Sequence, residues 1–199
     1  MLPAATDVYN GSTNVRHKAW VENKSPTFTF EYQSRPDLVN FDGDKVLLCE
    51  KTDNKTLDNY IFQYKYAGGY VDRREAVEYC AEHQDQAKAT DLLKTALKDR
   101  FYRIRLLALN KIDLKNEAAQ TAFEPLIAEM AAHDANRPVK AKAIEILGDF
   151  GNSKYKALFV KSVSDSSYTV SGKALEALMD IDSATALSLA KKLIKEPAK

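Results

Sequence analysis

The segment from Asp99 to Leu109 is DRFYRIRLLAL, and its pattern returns as DANRPVKAKAI at Asp134–Ile144 and as DSSYTVSGKAL at Asp165–Leu175. The copies begin 35 and 31 residues apart. Each contains an aspartate that suits a helix start, then a β-branched residue and an alanine that suit close packing on a neighbouring helix. A basic residue flanks them in the first two copies. One helix pair cannot bury its own apolar face, so the repeats predict stacked pairs in an α-solenoid.

Helical periodicity continues on both sides of these copies, from Leu57 to the end of the chain. Apolar residues form three stripes, namely Ala89, Leu92, Leu93, Ala96 and Leu97; Phe123, Leu126, Ile127 and Met130; and Ala186, Leu189, Ala190, Leu193 and Ile194. Polar breaks between the stripes indicate about nine helices of roughly ten to fifteen residues. An earlier, less regular copy at Arg73, Ala76 and Val77 has Ala67 in place of the aspartate, as expected of a first repeat that faces another domain. We expect a HEAT-like helical-repeat domain at residues 56–199, truncated at its C-terminus.

The first 55 residues have the alternation of strands. Thr27–Tyr32 predicts a half-buried antiparallel strand, and Val46–Cys49 predicts a strand buried on both sides. Asn10-Gly11 and Asp42-Gly43 supply turns. Four or five strands result, whereas a complete sandwich has about seven. The fold class expected is therefore α+β by segments, a partial Ig-like β-sandwich at residues 1–55 with its beginning missing and a sheet edge exposed, followed by the solenoid.

Composition narrows the classes of partner. Lysine and arginine number 29 against 28 aspartate and glutamate, a net charge of +1, and no basic run suits a phosphate backbone, so we expect no nucleic-acid partner. No apolar stretch approaches the roughly 18 residues of a membrane span. The two cysteines, Cys49 and Cys80, lie among apolar neighbours and are expected to be buried free thiols.

Catalytic motifs are absent from the sequence. The three histidines, His17, His83 and His133, lie far apart and are expected on the surface or in loops, and no H-E-x-x-H, C-x-x-C, G-x-S-x-G, P-loop or Rossmann pattern occurs. We predict no catalytic, cofactor-binding or metal-binding residue in this chain and no enzymatic activity of the chain alone.

Four arginines are the candidate functional residues. Arg73, Arg74, Arg103 and Arg105 fall on the second helices of successive pairs, which line the concave side of a solenoid, where they would form an anion-attracting wall. The alternative is that they pair with nearby carboxylates such as Asp72, Glu75 and Asp99. Trp20 and the tyrosines between Asn59 and Tyr70 are expected to pack in the core and at the domain junction.

Several near-continuous strings resemble the late sandwich and helical domains of bacterial zinc aminopeptidases of the aminopeptidase N family, which are gluzincin metallo-aminopeptidases. These strings are Trp20–Lys24, Thr27–Phe30, Arg35–Leu48, Lys55–Asn59, Asp72–Ala76 and Phe101–Arg105. The resemblance covers about residues 5–196. The family's H-E-x-x-H zinc site and G-x-M-E-N loop belong to an earlier domain, and neither motif occurs in this sequence.

The resemblance implies a noncatalytic C-terminal region that caps the active-site chamber of the parent enzyme and limits substrate access. Zinc, the hydrolase activity and the peptide substrates would belong to that parent, whose catalytic domain would be the partner of this region within one polypeptide. The parent would be exported to the bacterial cell envelope or be cytoplasmic. The exposed sheet edge would favour dimerisation. The alternative is a free-standing HEAT-type scaffold that binds another protein along its concave face.

Overall fold

The computed structural model describes residues 2–24 and 26–195. Packing divides the chain into two compact units, Met1–Leu92 and Leu93–Lys199, and the division falls within one helix. The fold is α+β by segments, a small antiparallel sheet followed by a helical-repeat region, as the sequence predicts. The first helix begins at Leu57, where the predicted change from strand to helix periodicity lies. A domain boundary between residues 55 and 56 stays a prediction.

The sheet has β1, Leu2–Asn10, at its centre, between β2, Thr13–Val21, and β3, Leu38–Phe41, and both pairings are antiparallel. The predicted turn at Asn10-Gly11 joins β1 to β2. Gly11 has a φ of 56°, a left-handed conformation that glycine adopts without steric strain. Within the described residues the sheet has three strands, fewer than the four or five predicted.

The predicted strand Thr27–Tyr32 is wrong, because this segment is irregular backbone. Its rings still contact the sheet: Phe30 stacks on His17 of β2 with ring centroids 4.1 Å apart, and the Tyr32 hydroxyl lies 2.5 Å from His17 Nε2. The alternating pattern therefore reflects ring contacts with a sheet rather than pairing within one. Trp20, which was predicted to pack in the core, is 58% exposed.

The predicted buried strand Val46–Cys49 is also irregular, and Val46 is 70% exposed. The reason lies in Asp42, which has a left-handed φ of 48° and whose carboxylate accepts the backbone N–H groups of Val46 and Leu47 at 3.2 and 2.9 Å. Amides held by this turn are no longer available to a neighbouring strand. This strongly apolar segment is therefore a loop, because the Asp42 carboxylate binds the first two of its backbone N–H groups.

The two cysteines differ in environment. Cys80 is buried on a helix, as predicted, whereas Cys49 is exposed in the loop after Asp42, which contradicts the prediction. Burial raises the pKa of the Cys80 thiol to about 12, and only thiolates react rapidly with disulfide reagents.

We expect Ellman's reagent at pH 8 to modify one thiol per folded chain and two after unfolding in urea. The fast reaction should disappear in Cys49→Ser, because Cys80 is both inaccessible and protonated at that pH. Rapid modification of folded Cys49→Ser would show that the helical core around Cys80 is not packed as described.

Two helices follow in the first unit, α1, Leu57–Tyr66, and α2, Tyr70–Glu82. Thr56 caps α1 through a reciprocal capping box with Asn59. The residues of the irregular first repeat, Arg73, Ala76 and Val77, are all buried, as expected of residues that pack against a neighbouring helix. Asp72 occupies the place of the β-branched residue of the other copies and is also buried.

Seven further α-helices follow in the described part of the chain, with a short 3-10 helix, Ser153–Tyr155, before the fifth of them. They are α3, Ala87–Ala96, which spans the division between units; α4, Tyr102–Lys111; α5, Glu117–His133; α6, Arg137–Asp149; α7, Lys156–Val163; α8, Tyr168–Ile181; and α9, Ser183–Leu193. The prediction of about nine helices is confirmed for the described residues. The predicted packing residues are all fully buried, namely Ile104, Ala108, Val139, Ala143, Val170 and Ala174. Of the third stripe, Ala186 is buried and Ile194 is exposed.

Helices α6 and α8 pack closely against each other in the second unit. A Cβ added at Gly148 of α6 would lie 2.7 Å from the Cβ and 3.1 Å from the Cα of Ala177 of α8. Gly148 is therefore required by close packing, whereas Gly172 of α8 has open space where a Cβ would point.

Gly148→Ala is expected to lower the free energy of unfolding by about 1–2 kcal/mol, because overpacking outweighs the gain in helix propensity. Gly172→Ala is the matched control and should raise stability, by up to about 1 kcal/mol, since it brings the propensity gain without a clash. Urea unfolding followed by far-ultraviolet circular dichroism measures both. Shifts in the same direction would contradict the described α6–α8 contact.

Candidate functional site

In the second unit, an aspartate lies in the turn that connects the two helices of each of three successive pairs. Asp99, Asp134 and Asp165 each accept, through the side chain, the backbone N–H two residues further on, at 2.7, 2.8 and 2.9 Å. This local bond fixes each turn just before its second helix begins. The aspartates were predicted at helix starts, but the N-cap residues are Phe101, Asn136 and Ser167. Each aspartate lies two residues before the N-cap and acts in the turn instead.

Two of these aspartates, Asp134 and Asp165, also form ion pairs with a basic residue of the preceding helix pair. Arg105 of α4 donates from Nε and Nη2 to the two carboxylate oxygens of Asp134, both at 2.7 Å, and Lys140 of α6 donates to Asp165 at 3.0 Å. Arg137 adds a 3.3 Å contact to Asp165. The flanking basic residue of the first and of the second copy thus pairs with the aspartate of the following copy. We call these contacts the aspartate ladder.

The third copy differs at this position. Ser171 replaces the basic residue, is buried, and donates its hydroxyl to the carbonyl of Val163 in α7 at 2.6 Å. This bond stays within its own helix pair. The cross-pair steps from Arg105 to Asp134 and from Lys140 to Asp165 therefore have no counterpart at Ser171.

The four candidate arginines have different surroundings. Arg73 is buried and donates to the carbonyl of Gly68, and Arg74 is half exposed and pairs with Glu78 at 2.9 Å. Arg103 is exposed beside the ring of Tyr102. Arg105 is held in the ladder, with a further 2.8 Å bond to the carbonyl of Asp99. A role for the four as the wall of a substrate chamber stays a prediction.

The ladder gives stability a pH dependence. Desolvation opposes ionisation of Asp165, but the hydrogen bond from the Ser167 N–H and the nearby Lys140 outweigh it and lower the pKa of that carboxyl. Asp182 lies outside the ladder, and its pKa is lowered as well, by Lys156 and by the hydroxyl and N–H of Thr185. A carboxyl whose folded pKa lies below its unfolded value, about 4, stabilises the fold above that pH and loses this contribution as pH falls through the folded pKa.

The urea midpoint of the helical unit is therefore expected to fall as pH is lowered from about 5 to 3. Asp165→Asn should lower the midpoint at neutral pH and flatten this acid limb, because the removed carboxyl no longer titrates. An acid limb of unchanged steepness in Asp165→Asn would contradict the assignment.

A second polar cluster lies in the first unit. Asp72 of α2, almost fully buried, accepts from Lys45 at 2.9 Å and from the Asn40 side chain at 3.0 Å. Gln63 of α1 donates to the Asp72 carbonyl at 2.9 Å and accepts from Lys55 at 2.8 Å. We call Asn40, Lys45, Gln63, Lys55 and Asp72 the junction cluster, because it connects β3 and the following loop to α1 and α2.

Open grooves are the concave features of the surface. One of about 460 Å³ lies against the sheet and is lined by Val8, Phe30, Val39 and the chain from Tyr32 to Pro36. Another of about 220 Å³ lies beside α5 and includes Leu97, Met130 and His133. Both grooves are open to solvent and do not form enclosed cavities.

The histidines are held by separate contacts. His17 is half-buried in β2, unlike the predicted surface or loop position, His83 Nδ1 lies 2.8 Å from the Tyr79 carbonyl, and His133 ends α5 on the surface. Across residues 2–24 and 26–195, no three histidine, cysteine, aspartate or glutamate residues are grouped to hold a metal ion. No helix in the same ranges is long and apolar enough to cross a bilayer.

Comparison with known families gives a match over part of the helical region. Residues 123–199 match the family model described as HEAT repeats, a stretch that includes the second and third aspartate copies. No curated protein matches the chain. The chain therefore combines a small antiparallel sheet with a helical-repeat region, of which residues 123–199 match HEAT repeats.

Proposed function

We propose that this chain is a noncatalytic interaction module, a stack of helix pairs that presents a preformed surface to another protein. The aspartate ladder is the observation that carries the proposal. Buried charge pairs between successive helix pairs fix their relative placement, and a repeat stack with fixed placement offers an extended surface without folding on binding. HEAT repeats commonly serve as protein-interaction elements, which agrees with the match over residues 123–199.

A finer proposal names the partner as the catalytic half of a zinc aminopeptidase within the same polypeptide. It rests on the resemblance of the six strings quoted above. The string Arg35–Leu48 includes Asn40 and Lys45 of the junction cluster, and the string Asp72–Ala76 includes their partner Asp72. The residues that carry the resemblance thus include the residues that join the sheet to the helices. In this proposal zinc, peptide substrate and bond cleavage belong to the partner, and this region caps the chamber.

The activity of the chain alone tests the noncatalytic proposal. We expect no hydrolysis of aminoacyl-arylamides by the purified chain with added zinc, because the sequence has no H-E-x-x-H motif and the described residues contain no group arranged to hold a metal ion. The control is the same preparation with a chelator. Turnover that survives repurification and is abolished by the chelator would overturn the proposal.

The gene sequence upstream of the codon for Met1 separates the two possible settings of the module. An H-E-x-x-H motif in the same reading frame, a few hundred codons upstream, would support the aminopeptidase partner. A native start codon near Met1 would sink that finer proposal and would favour the free-standing HEAT-type scaffold. Both outcomes leave the aspartate ladder and the interaction surface to be tested separately.

A further inference from the structure

Charge is segregated between the two units although the whole chain is nearly neutral. Residues 93–199 contain 18 lysines and arginines against 13 aspartates and glutamates, a net charge of +5, whereas residues 1–92 contain 11 against 15, a net charge of −4. The near-zero total therefore hides a basic helical-repeat unit. Long-range attraction of a partner depends on such local fields rather than on the total charge.

Five of the 18 lysines and arginines of residues 93–199 lie at or near the turns of the aspartate ladder. Five exposed cations lie at the turns between α3 and α4, α5 and α6, and α7 and α8, or within one helical turn of them; they are Lys98, Arg100, Arg103, Arg137 and Lys161. We call these five residues the basic edge. Lys98, Arg100 and Lys161 make no ion pair with any residue that the structure describes.

The ladder explains why the carboxylates at these turns do not neutralise Lys98, Arg100 and Lys161. The carboxylates at the same turns face inward: the side chains of Asp134 and Asp165 are only 6% and 7% exposed, and Asp99 is buried. Asp134 is already bound to Arg105 and to a backbone N–H, and Asp165 to Lys140, Arg137 and a backbone N–H. Glu129 is the exposed carboxylate of the groove that Lys98 lines.

We propose that the basic edge binds an acidic, extended segment of a partner protein. The proposal rests on the interaction module proposed above and assigns the surface and the chemistry of its partner. Neighbouring packed helices lie about 8–10 Å apart, and an extended chain advances about 3.3 Å per residue. Carboxylates at every third residue of the segment therefore match successive turns of the stack. Tyr102 and the exposed Tyr168 at these turns add the aromatic contacts common at protein interfaces.

Fluorescence anisotropy with defined peptides tests this assignment on the intact chain. The probe is a labelled twelve-residue peptide with glutamate at every third position, and the matched peptide has glutamine in its place. We expect the glutamate peptide to bind at least about tenfold more tightly at low salt, and added salt to weaken it because the contacts are solvent-exposed ion pairs.

Two charge-reversal variants localise the site. Arg100→Glu combined with Arg103→Glu should weaken binding by about tenfold or more. Lys191→Glu combined with Lys192→Glu changes the net charge equally on exposed residues of α9 and should alter binding by less than about twofold. All four substituted positions are exposed, so unchanged circular dichroism melting is expected and confirms that each variant folds.

Three results would overturn the proposal. They are equal affinity for the glutamate and glutamine peptides, equal weakening by the two variants, or tighter binding of a single-stranded oligonucleotide than of the glutamate peptide. None of them would affect the noncatalytic proposal, which depends on the hydrolysis assay. Failure of the basic edge and failure of the proposed function are therefore distinguishable.

Discussion

Replacing Asp134 by alanine is expected to lower the free energy of unfolding of the helical-repeat unit by about 2–4 kcal/mol, within or just below the range for breaking a buried ion pair. The Arg105 and Asp134 side chains are only 16% and 6% exposed, so the guanidinium would lose its carboxylate in a place that water reaches poorly. The substitution also removes the acceptor for the Asn136 N–H at the start of α6. Two adjacent helix pairs lose their charged connection in one step.

Two controls separate charge from shape and burial. Asp134→Asn keeps an oxygen acceptor for the turn but removes the charge, so its cost should be intermediate. Asp58→Ala removes an ion pair with Lys88 whose two side chains are 70% and 69% exposed, and should cost less than about 1 kcal/mol. Amide hydrogen exchange, resolved to individual peptides, measures how much stability α4 and α6 lose in each variant. A cost for Asp134→Ala no larger than that for Asp58→Ala would contradict the ladder.

Asp72→Ala is expected to destabilise the first unit by a similar amount, about 2–4 kcal/mol. Asp72 is 1% exposed and is the carboxylate that faces Lys45, whose side chain is 14% exposed. Its removal leaves a mostly buried ammonium without a counter-charge and the Asn40 amide without an acceptor. An unpaired polar group of this kind costs more than the intact pair contributes.

The double variant Asp72→Ala with Lys45→Met tests that reason. Removing both charges should recover part of the lost stability, because no buried charge remains unpaired. Fluorescence of Trp20, the single tryptophan and a residue of β2, reports unfolding of the first unit, while far-ultraviolet circular dichroism reports mainly the helices. If the double variant were less stable than Asp72→Ala, the charge argument for the junction cluster would be wrong.

The helices could be predicted from sequence because their signals are local. Three- and four-residue spacing, breaks at turns and the recurring aspartate all act within one or two helical turns. The buried residues Ile104, Val139 and Val170 follow from that pattern. The misread strands show the opposite case: a strand needs a distant backbone partner, and nothing within Thr27–Tyr32 states whether one exists.

The candidate site was only partly predictable for the same reason. The sequence predicts Arg105 as part of an anion-attracting wall, with pairing to a nearby carboxylate such as Asp99 as the alternative. The structure gives it the Asp99 carbonyl and the carboxylate of Asp134, which lies 29 residues further on. The repeat spacing of 35 residues could have predicted Asp134 as the partner of Arg105, since the aspartate of the following copy lies one helix pair away in a regular stack.

A double-mutant cycle of Arg105→Ala and Asp134→Ala tests most directly whether successive helix pairs are tied together by the aspartate ladder. The cycle isolates the interaction of the two side chains from their other contacts, including the bond of Arg105 to the Asp99 carbonyl. We expect a coupling free energy of about 1–3 kcal/mol, with the double variant losing less stability than the two single variants together. Single-variant costs that add to within about 0.3 kcal/mol would contradict the ladder and the stack of linked helix pairs built on it.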